Sequence, residues 1–172
     1  MGRGRFKKLN TADASGDKKP WFEPGHYMVR IVKVKAFDDR NGHPLVVIEA
    51  ECLESDNESI RVGSVYSQVM KMDQDMGPIN LKRFLIASQG GDPGKKENSD
   101  FEYFIENVCE MDPKELAEQD DIKDWEDFAD DMFDEEEEPL VGTEMPLDCI
   151  ATKKKDGDPF TKYAWQAATK IP

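Results

Sequence analysis

The sequence predicts a mainly β fold with helices (β/α+β), in which five strands form a Greek-key barrel with a connecting helix and an acidic helical insertion. Three observations support this prediction. The β-prone segments come as three strands, a helix and a final hairpin, the first strand changes phase midway, and the acidic residues are concentrated in one stretch. A change of phase within a strand indicates a bulge and a strong bend.

The first strand is predicted in HYMVRIVKVKAF. Tyr27, Val29 and Ile31 alternate on one face, whereas Val32 and Val34 fall on the other. The turn DDRNGHP follows, and its Asn-Gly dipeptide is a strong hairpin signal that leads into a second strand, LVVIEAEC. We therefore expect a bent first strand paired with its neighbour through a tight turn.

A third strand is predicted in SIRVGSVYSQVMKM, with Gly63 at a bend. The segment INLKRFLIASQGG then has apolar residues at helical spacing, and Gly90 and Gly91 end it. Residues 140–151 and 160–168 read as two more strands joined by TKKKDGD. Three strands, a helix and two strands are the element order of the OB-fold, a five-stranded Greek-key barrel.

Charge divides the chain into segments. Its formal net charge is −14, yet residues 92–138 hold 21 acidic and 4 basic residues, which leaves the remainder mildly basic. Asp112, Pro113 and Glu115 indicate a capped helix within this stretch, and Ile122, Trp125, Phe128 and Ala129 form an apolar stripe. The expected organisation is a flexible basic arm (1–20), an OB-fold-like domain (21–91 and 139–172) and an acidic, partly helical insertion (92–138).

Several classes of protein find no support. The chain has no apolar run of bilayer length and no signal peptide, so we expect a soluble, cytoplasmic protein without a membrane partner. Cys52, Cys109 and Cys149 show no disulfide or zinc spacing, and the two histidines, His26 and His43, read as strand-end or turn residues. With no phosphate loop, nucleophile motif or calcium loop, we expect neither an enzyme nor a cofactor, and a nuclease with clustered acids is the weakest alternative.

The segments GHYMVRIVKVKAFDDRNGHPLVVIEAEC, GPINLKRFLIASQG and LVGTEMPLDCIATKKKDGDPFTKYAW resemble the small OB-fold single-stranded DNA-binding proteins that bacteriophages encode beside their replication and recombination genes. The resemblance covers residues 25–90 and 140–168. It implies a non-enzymatic protein of the host cytoplasm that binds single-stranded DNA with little sequence preference. In that family the acid lies at the C-terminus, whereas here it lies inside the chain.

Cationic and aromatic side chains are the candidates for such binding, because lysines neutralise phosphates and flat rings stack on bases. The predicted site residues are Arg30, Lys33, Lys35, Phe37, Arg40, Tyr66, Lys71, Lys153, Lys154, Lys155, Phe160, Lys162, Tyr163 and Trp165. In an OB-fold, the turns that join strands 1 and 2 and strands 4 and 5 flank the binding face.

Each group of candidates has an alternative role. Lys153, Lys154 and Lys155 also fit a solvated turn. Tyr163 and Trp165 share a face and also fit the core, which leaves Phe160, on the opposite face with Lys162, as the better stacking candidate.

The acidic insertion allows three interpretations. It is a solvated segment, or it competes for the basic groove or docks basic replication or recombination proteins through Trp125 and Phe128, or it is a metal site, which the absence of a DxDxDG loop disfavours. The rival functions are an acidic protein-interaction module, such as a DNA-mimicking inhibitor or an adaptor, and a structural virion component.

Overall fold

A computed structural model describes residues 22–153, 157 and 159–172, with the backbone alone for residues 159 and 160. The arm predicted for residues 1–20 lies outside the described residues. The described chain forms, in order, β1 (Gly25–Asp38), β2 (Pro44–Ser55), β3 (Val65–Lys71), α1 (Met76–Ser88), a 3₁₀ helix (Lys96–Ser99), α2 (Phe101–Asn107), α3 (Pro113–Gln119), α4 (Trp125–Met132), β4 (Glu144–Lys153) and β5 (Pro159–Trp165). The predicted mixture of strands and helices is confirmed.

The five strands form one antiparallel open sheet in the order β3-β2-β1-β4-β5. The central strand β1 pairs with β2 over most of its length, and its first residues, Gly25 to Arg30, also pair with β4. The register of β1 against β2 shifts between Ile31 and Lys33. The bulge predicted from the phase change at Val32 is therefore confirmed.

The turn between β1 and β2 is the Asn-Gly hairpin that the sequence predicts. Asp39 N donates to His43 O at 2.8 Å, and Gly42 N donates to Asp39 O at 3.0 Å. Gly42 has a φ of 80°, a left-handed conformation that glycine adopts without steric cost. The tight turn fixes which residues of β1 and β2 face each other.

The core lies between one face of the sheet and α1. Val29, Ile31 and Ile48 of the sheet are buried there together with Phe84 of α1. Trp165 of β5 packs edge-on against Phe84, with 5.0 Å between ring centroids. Burial of large apolar side chains on both elements drives the sheet and helix together.

The acidic segment packs on the other side of α1. Lys82 Nζ lies 5.1 Å from the centroid of the Trp125 ring, and Gln89 Nε2 lies 3.8 Å from Met132 Sδ. Lys82 and Gln89 are two helical turns apart on the face of α1 that points away from Phe84. The acidic helices therefore contact the side of α1 that points away from Phe84.

The acidic helices belong to the same apolar core as the sheet. Phe104, Ile105, Leu116 and Phe128 are buried within that one cluster. Asp112 caps α3 as the sequence predicts, with its side chain accepting a hydrogen bond from Lys114 N at 3.0 Å. The segment is thus a packed layer of the fold, in contrast to the solvated insertion that its charge suggests.

Candidate nucleic-acid interface

The outer face of the sheet, away from α1, brings several predicted site residues together. Strand pairing aligns three rows across β1, β2 and β3 on this face. The rows are Phe37-Leu45-Lys71, Lys35-Val47-Val69 and Lys33-Glu49-Ser67. We call this surface, together with Arg40 in the adjoining turn, the Lys35 face.

Positive charge and exposed apolar surface coincide on the Lys35 face. Phe37 is 46% exposed and Val69 is 54% exposed. Lys33, Arg40 and Lys71 form no ion pair with any described residue, and Lys35 Nζ lies 3.8 Å from Glu49 Oε1. The face therefore offers cations for phosphate and a ring for stacking at neighbouring positions.

Arg40 stands on an ordered turn. Asp39 Oδ1 accepts hydrogen bonds from Asn41 N at 2.8 Å and His43 N at 2.9 Å, and these bonds hold the pKa of Asp39 below its usual value. His43 Nδ1 lies 2.7 Å from Asp73 Oδ2, which connects the turn to the loop after β3. The turn and the Lys71 end of β3 are thereby fixed to one another.

Arg30 shares the outer face but is paired with acids on both sides. Its NH1 lies 3.4 Å from Glu51 Oε1, and its NH2 lies 3.8 Å from Glu144 Oε2. Lys170 Nζ lies 3.5 Å from the same Glu144 oxygen. These four residues, the Arg30 cluster, carry no net charge between them, so the prediction that Arg30 is an available phosphate ligand finds no support.

Three aromatic residues among the predicted site residues, Trp165, Tyr163 and Tyr66, have rings on the core side of the sheet. Trp165 is 3% exposed, and its Nε1 donates to Gln68 Oε1 at 2.7 Å. The hydroxyl of Tyr163 accepts from Phe22 N, and the ring of Tyr66 lies 4.9 Å from that of Phe22. Strand alternation turns all three rings toward the core, where Trp165 is buried and Tyr66 and Tyr163 are partly buried, so the structure gives no support to the prediction that they stack on bases.

Lys153, the described member of the three predicted lysines, lies beyond the other end of β1. Lys153 ends β4, four residues beyond the pairing of Cys149 with Gly25, whereas Phe37 stands near the end of β1. A path along the strands between the two is roughly 50 Å. Lys154, Lys155 and the side chain of Phe160 lie outside the described residues, and Lys162 is exposed opposite Ile150.

Trp125 and Phe128 are structural residues rather than exposed anchors. The ring of Trp125 lies 4.6 Å from that of Phe104, and its Nε1 donates to Ser99 O at 2.9 Å. Phe128 is 5% exposed and packs edge-on against Phe104 at 5.2 Å. Phe128 is therefore covered and Trp125 is partly buried, so the structure gives no support to the prediction that these two rings are available to a partner protein.

Sequence reasoning passed over the apolar residues of the Lys35 face. Leu45 and Val47 of β2 and Val69 of β3 lie beside the lysines there. The alternation of inward and outward side chains along β2 and β3 predicts their placement, because it assigns each of these residues to the face opposite the core.

A second cationic surface lies on α1, beside the acidic helices. A cleft of about 330 Å³ there is lined by Lys82, Arg83 and Ser99 together with prolines and isoleucines. Lys82 is already engaged with the Trp125 ring. The cleft lies in the helical layers and does not belong to the Lys35 face.

The described residues form neither a metal site nor a membrane-spanning helix. Among the described residues, no three His, Cys, Asp or Glu side chains are placed to hold a metal ion. None of the described helices has the length and apolar character needed to cross a bilayer.

No protein-family model matches the chain, and no curated protein matches it significantly. The resemblance to phage DNA-binding proteins stays a prediction.

Proposed function

We propose that this protein binds single-stranded DNA through the Lys35 face, with little sequence preference and without catalysing a reaction. The observation that carries the proposal is the alignment of Lys33, Lys35 and Lys71 with the exposed ring of Phe37 on one sheet face. Lysines neutralise phosphates regardless of sequence, and an exposed ring stacks on any base.

A single strand suits this surface better than a duplex does. Stacking on Phe37 requires a base that is not already stacked within a helix. The Lys35 face is a pleated sheet surface flanked by a short turn, so a flexible single strand can follow it with its bases against Phe37. We therefore place single-stranded DNA first among the nucleic acids.

The strand order supports an OB-like barrel as the finer description of the fold. The two outer strands of the open sheet, β3 and β5, approach each other through side chains, since Tyr163 Oη donates to Ser67 O at 3.3 Å. In OB-folds, which are partly open barrels, the face of strands 2 and 3 binds oligonucleotides. A role in phage replication or recombination within the host cytoplasm is the biological setting that we propose from the resemblance.

Titration of fluorescein-labelled oligo-dT by anisotropy at a series of salt concentrations tests the proposal. Lys33, Lys35, Arg40 and Lys71 supply up to four phosphate contacts, so log K should fall with log salt at a slope between about −2 and −3. Absence of binding at low salt would refute the proposal.

Two variants locate the site. Lys71→Gln should reduce the slope by about 0.7, whereas Lys114→Gln, an equal loss of charge on α3, should leave it unchanged. Phe37→Ala should weaken binding by roughly 1–3 kcal/mol if the ring stacks on a base, and Phe37→Leu should not restore the loss.

The second candidate is an acidic module that docks on a basic partner. The observation in its favour is that the acidic residues stand on packed helices, on the side of α1 opposite the sheet. A fixed array of carboxylates favours association with a basic surface. Glu126→Gln with Asp130→Asn on α4 should weaken capture of a basic partner and leave DNA binding unchanged; loss of DNA binding alone would contradict this division.

A further inference from the structure

The Arg30 cluster interrupts the positive charge of the outer sheet face. Arg30 lies between Glu51 of β2 and Glu144 of β4, and Glu144 is shared with Lys170. A phosphate placed over Arg30 would meet two carboxylates as well as the guanidinium. It would therefore gain little attraction there, because the nearby charges cancel.

The acidic character continues toward the start of β1. His26 Nδ1 lies 2.7 Å from Asp148 Oδ1, and His26 N donates to Asp56 Oδ1 at 2.7 Å. Glu54 pairs with Met28 across the sheet and is exposed. Among the described residues between the Arg30 cluster and Lys153, carboxylates thus outnumber cations.

We infer that a bound strand crosses β1, β2 and β3 at the Lys35 face and ends at the Arg30 cluster, so that one protein covers a short oligonucleotide and Lys153 takes no part. This inference rests on the proposed function. It places the protein at the low end of the roughly 4–16 nucleotides that one OB-fold covers. Arg30 acts in it as a structural residue that joins β1 to β2 and β4.

A charge-conserving double variant separates this arrangement from its alternative. Arg30→Gln with Glu51→Gln removes one cation and one anion, so the net charge of the face stays the same. Affinity for oligo-dT should change less than two-fold and the salt slope should stay constant. Lys71→Gln is the positive control, and its slope should fall by about 0.7.

The length of the oligonucleotide gives a second readout on the unaltered protein. The salt slope measured with dT8 should equal that with dT16, and one dT16 should bind at least two protein molecules. A slope steeper by 0.7 or more on dT16, or the same loss in the double variant, would overturn the inference while leaving single-stranded DNA binding intact. If the unaltered protein binds no oligo-dT at low salt, the proposed function itself fails.

Discussion

Trp165 of β5 and Gln68 of β3 are joined by a hydrogen bond of 2.7 Å from indole Nε1 to amide Oε1. The two residues lie on the two outer strands of the sheet, 97 positions apart in the chain. The indole is buried against Phe84 of α1, so its N–H has to find a partner inside the protein. The bond links the sheet edges and accounts for a tryptophan that is unavailable to DNA.

Loss of the Gln68 amide should destabilise the fold. Gln68→Leu preserves much of the side-chain volume and leaves the indole N–H without its acceptor, at a cost of about 1–3 kcal/mol. Urea unfolding followed by tryptophan fluorescence measures the difference. Val69→Thr, one residue along on the exposed face, should change stability by less than about 0.5 kcal/mol. Equal unfolding midpoints for Gln68→Leu and the unaltered protein would contradict this account.

Gly77 allows the start of α1 to approach the end of β3. A Cβ at this position would overlap the backbone carbonyl of Lys71, which has little freedom to move. Gly77→Ala should therefore lower the free energy of unfolding by about 2–3 kcal/mol, as overpacking does. Gly42→Asn is the matched control, because open space surrounds Gly42 and asparagine tolerates its left-handed φ. Comparable losses in the two variants would argue against the close approach.

The acidic helices should unfold together with the sheet. Phe128 is buried against Phe104 in the common core, so Phe128→Ala should cost about 3 kcal/mol and lower the midpoint of the whole molecule. Circular dichroism at a helical wavelength and tryptophan fluorescence should report one coincident transition. Glu126→Gln, on the exposed side of α4, should leave the midpoint unchanged. Two separate transitions would show that the acidic segment is an independent unit.

The elements that sequence reasoning predicts best are those fixed by neighbours in the chain. The bulge near Val32, the turn at Gly42 and the cap at Asp112 are all confirmed. Each depends on a few consecutive residues, because the local sequence determines side-chain alternation, the preferred φ and the capping hydrogen bond. The third strand is shorter than predicted, because Gly63 takes a φ of 91° and Cys52 pairs with Ser64 across the resulting turn.

The candidate site is harder to predict, because its electrostatics depend on pairs that are remote in sequence. The sequence alone predicts that Arg30 is an available cation, but strand pairing places Glu51 and Glu144 beside it. The sequence alone predicts that Trp125 is an exposed anchor, but Phe104 of α2 packs against its ring. Net charge along a segment does not reveal either arrangement, since both arise from register and helix packing. Acidic composition likewise suggested a solvated insertion where the apolar residues form a layer of the core.

The three thiols, of which those of Cys52 and Cys149 are buried and that of Cys109 is partly buried, should resist modification in the native protein. Burial raises the pKa of Cys109 to about 11 and that of Cys149 to about 12. At pH 8 the thiolate of Cys109 is then populated to roughly one part in a thousand. A disulfide reagent such as DTNB should titrate almost no thiol before unfolding and three thiols after it. Rapid native reaction of any one thiol would show that its surroundings open readily.

The pair formed by His26 and Asp148 should make stability depend on pH. The hydrogen bond that the His26 ring donates to the Asp148 carboxylate raises the pKa of His26 above its ordinary value of 6.5, and the negative charges of Asp148 and Asp56 raise it further. Because the pKa is raised in the folded state, the stabilisation is fully present below pH 6.5 and disappears as pH rises through the folded-state pKa. Titration of the His26 ring resonances by NMR should give a pKa above 6.5, and Asp148→Asn should bring it back toward 6.5. A value at or below 6.5, or no response to the Asp148 substitution, would show that the ion pair is not formed in solution.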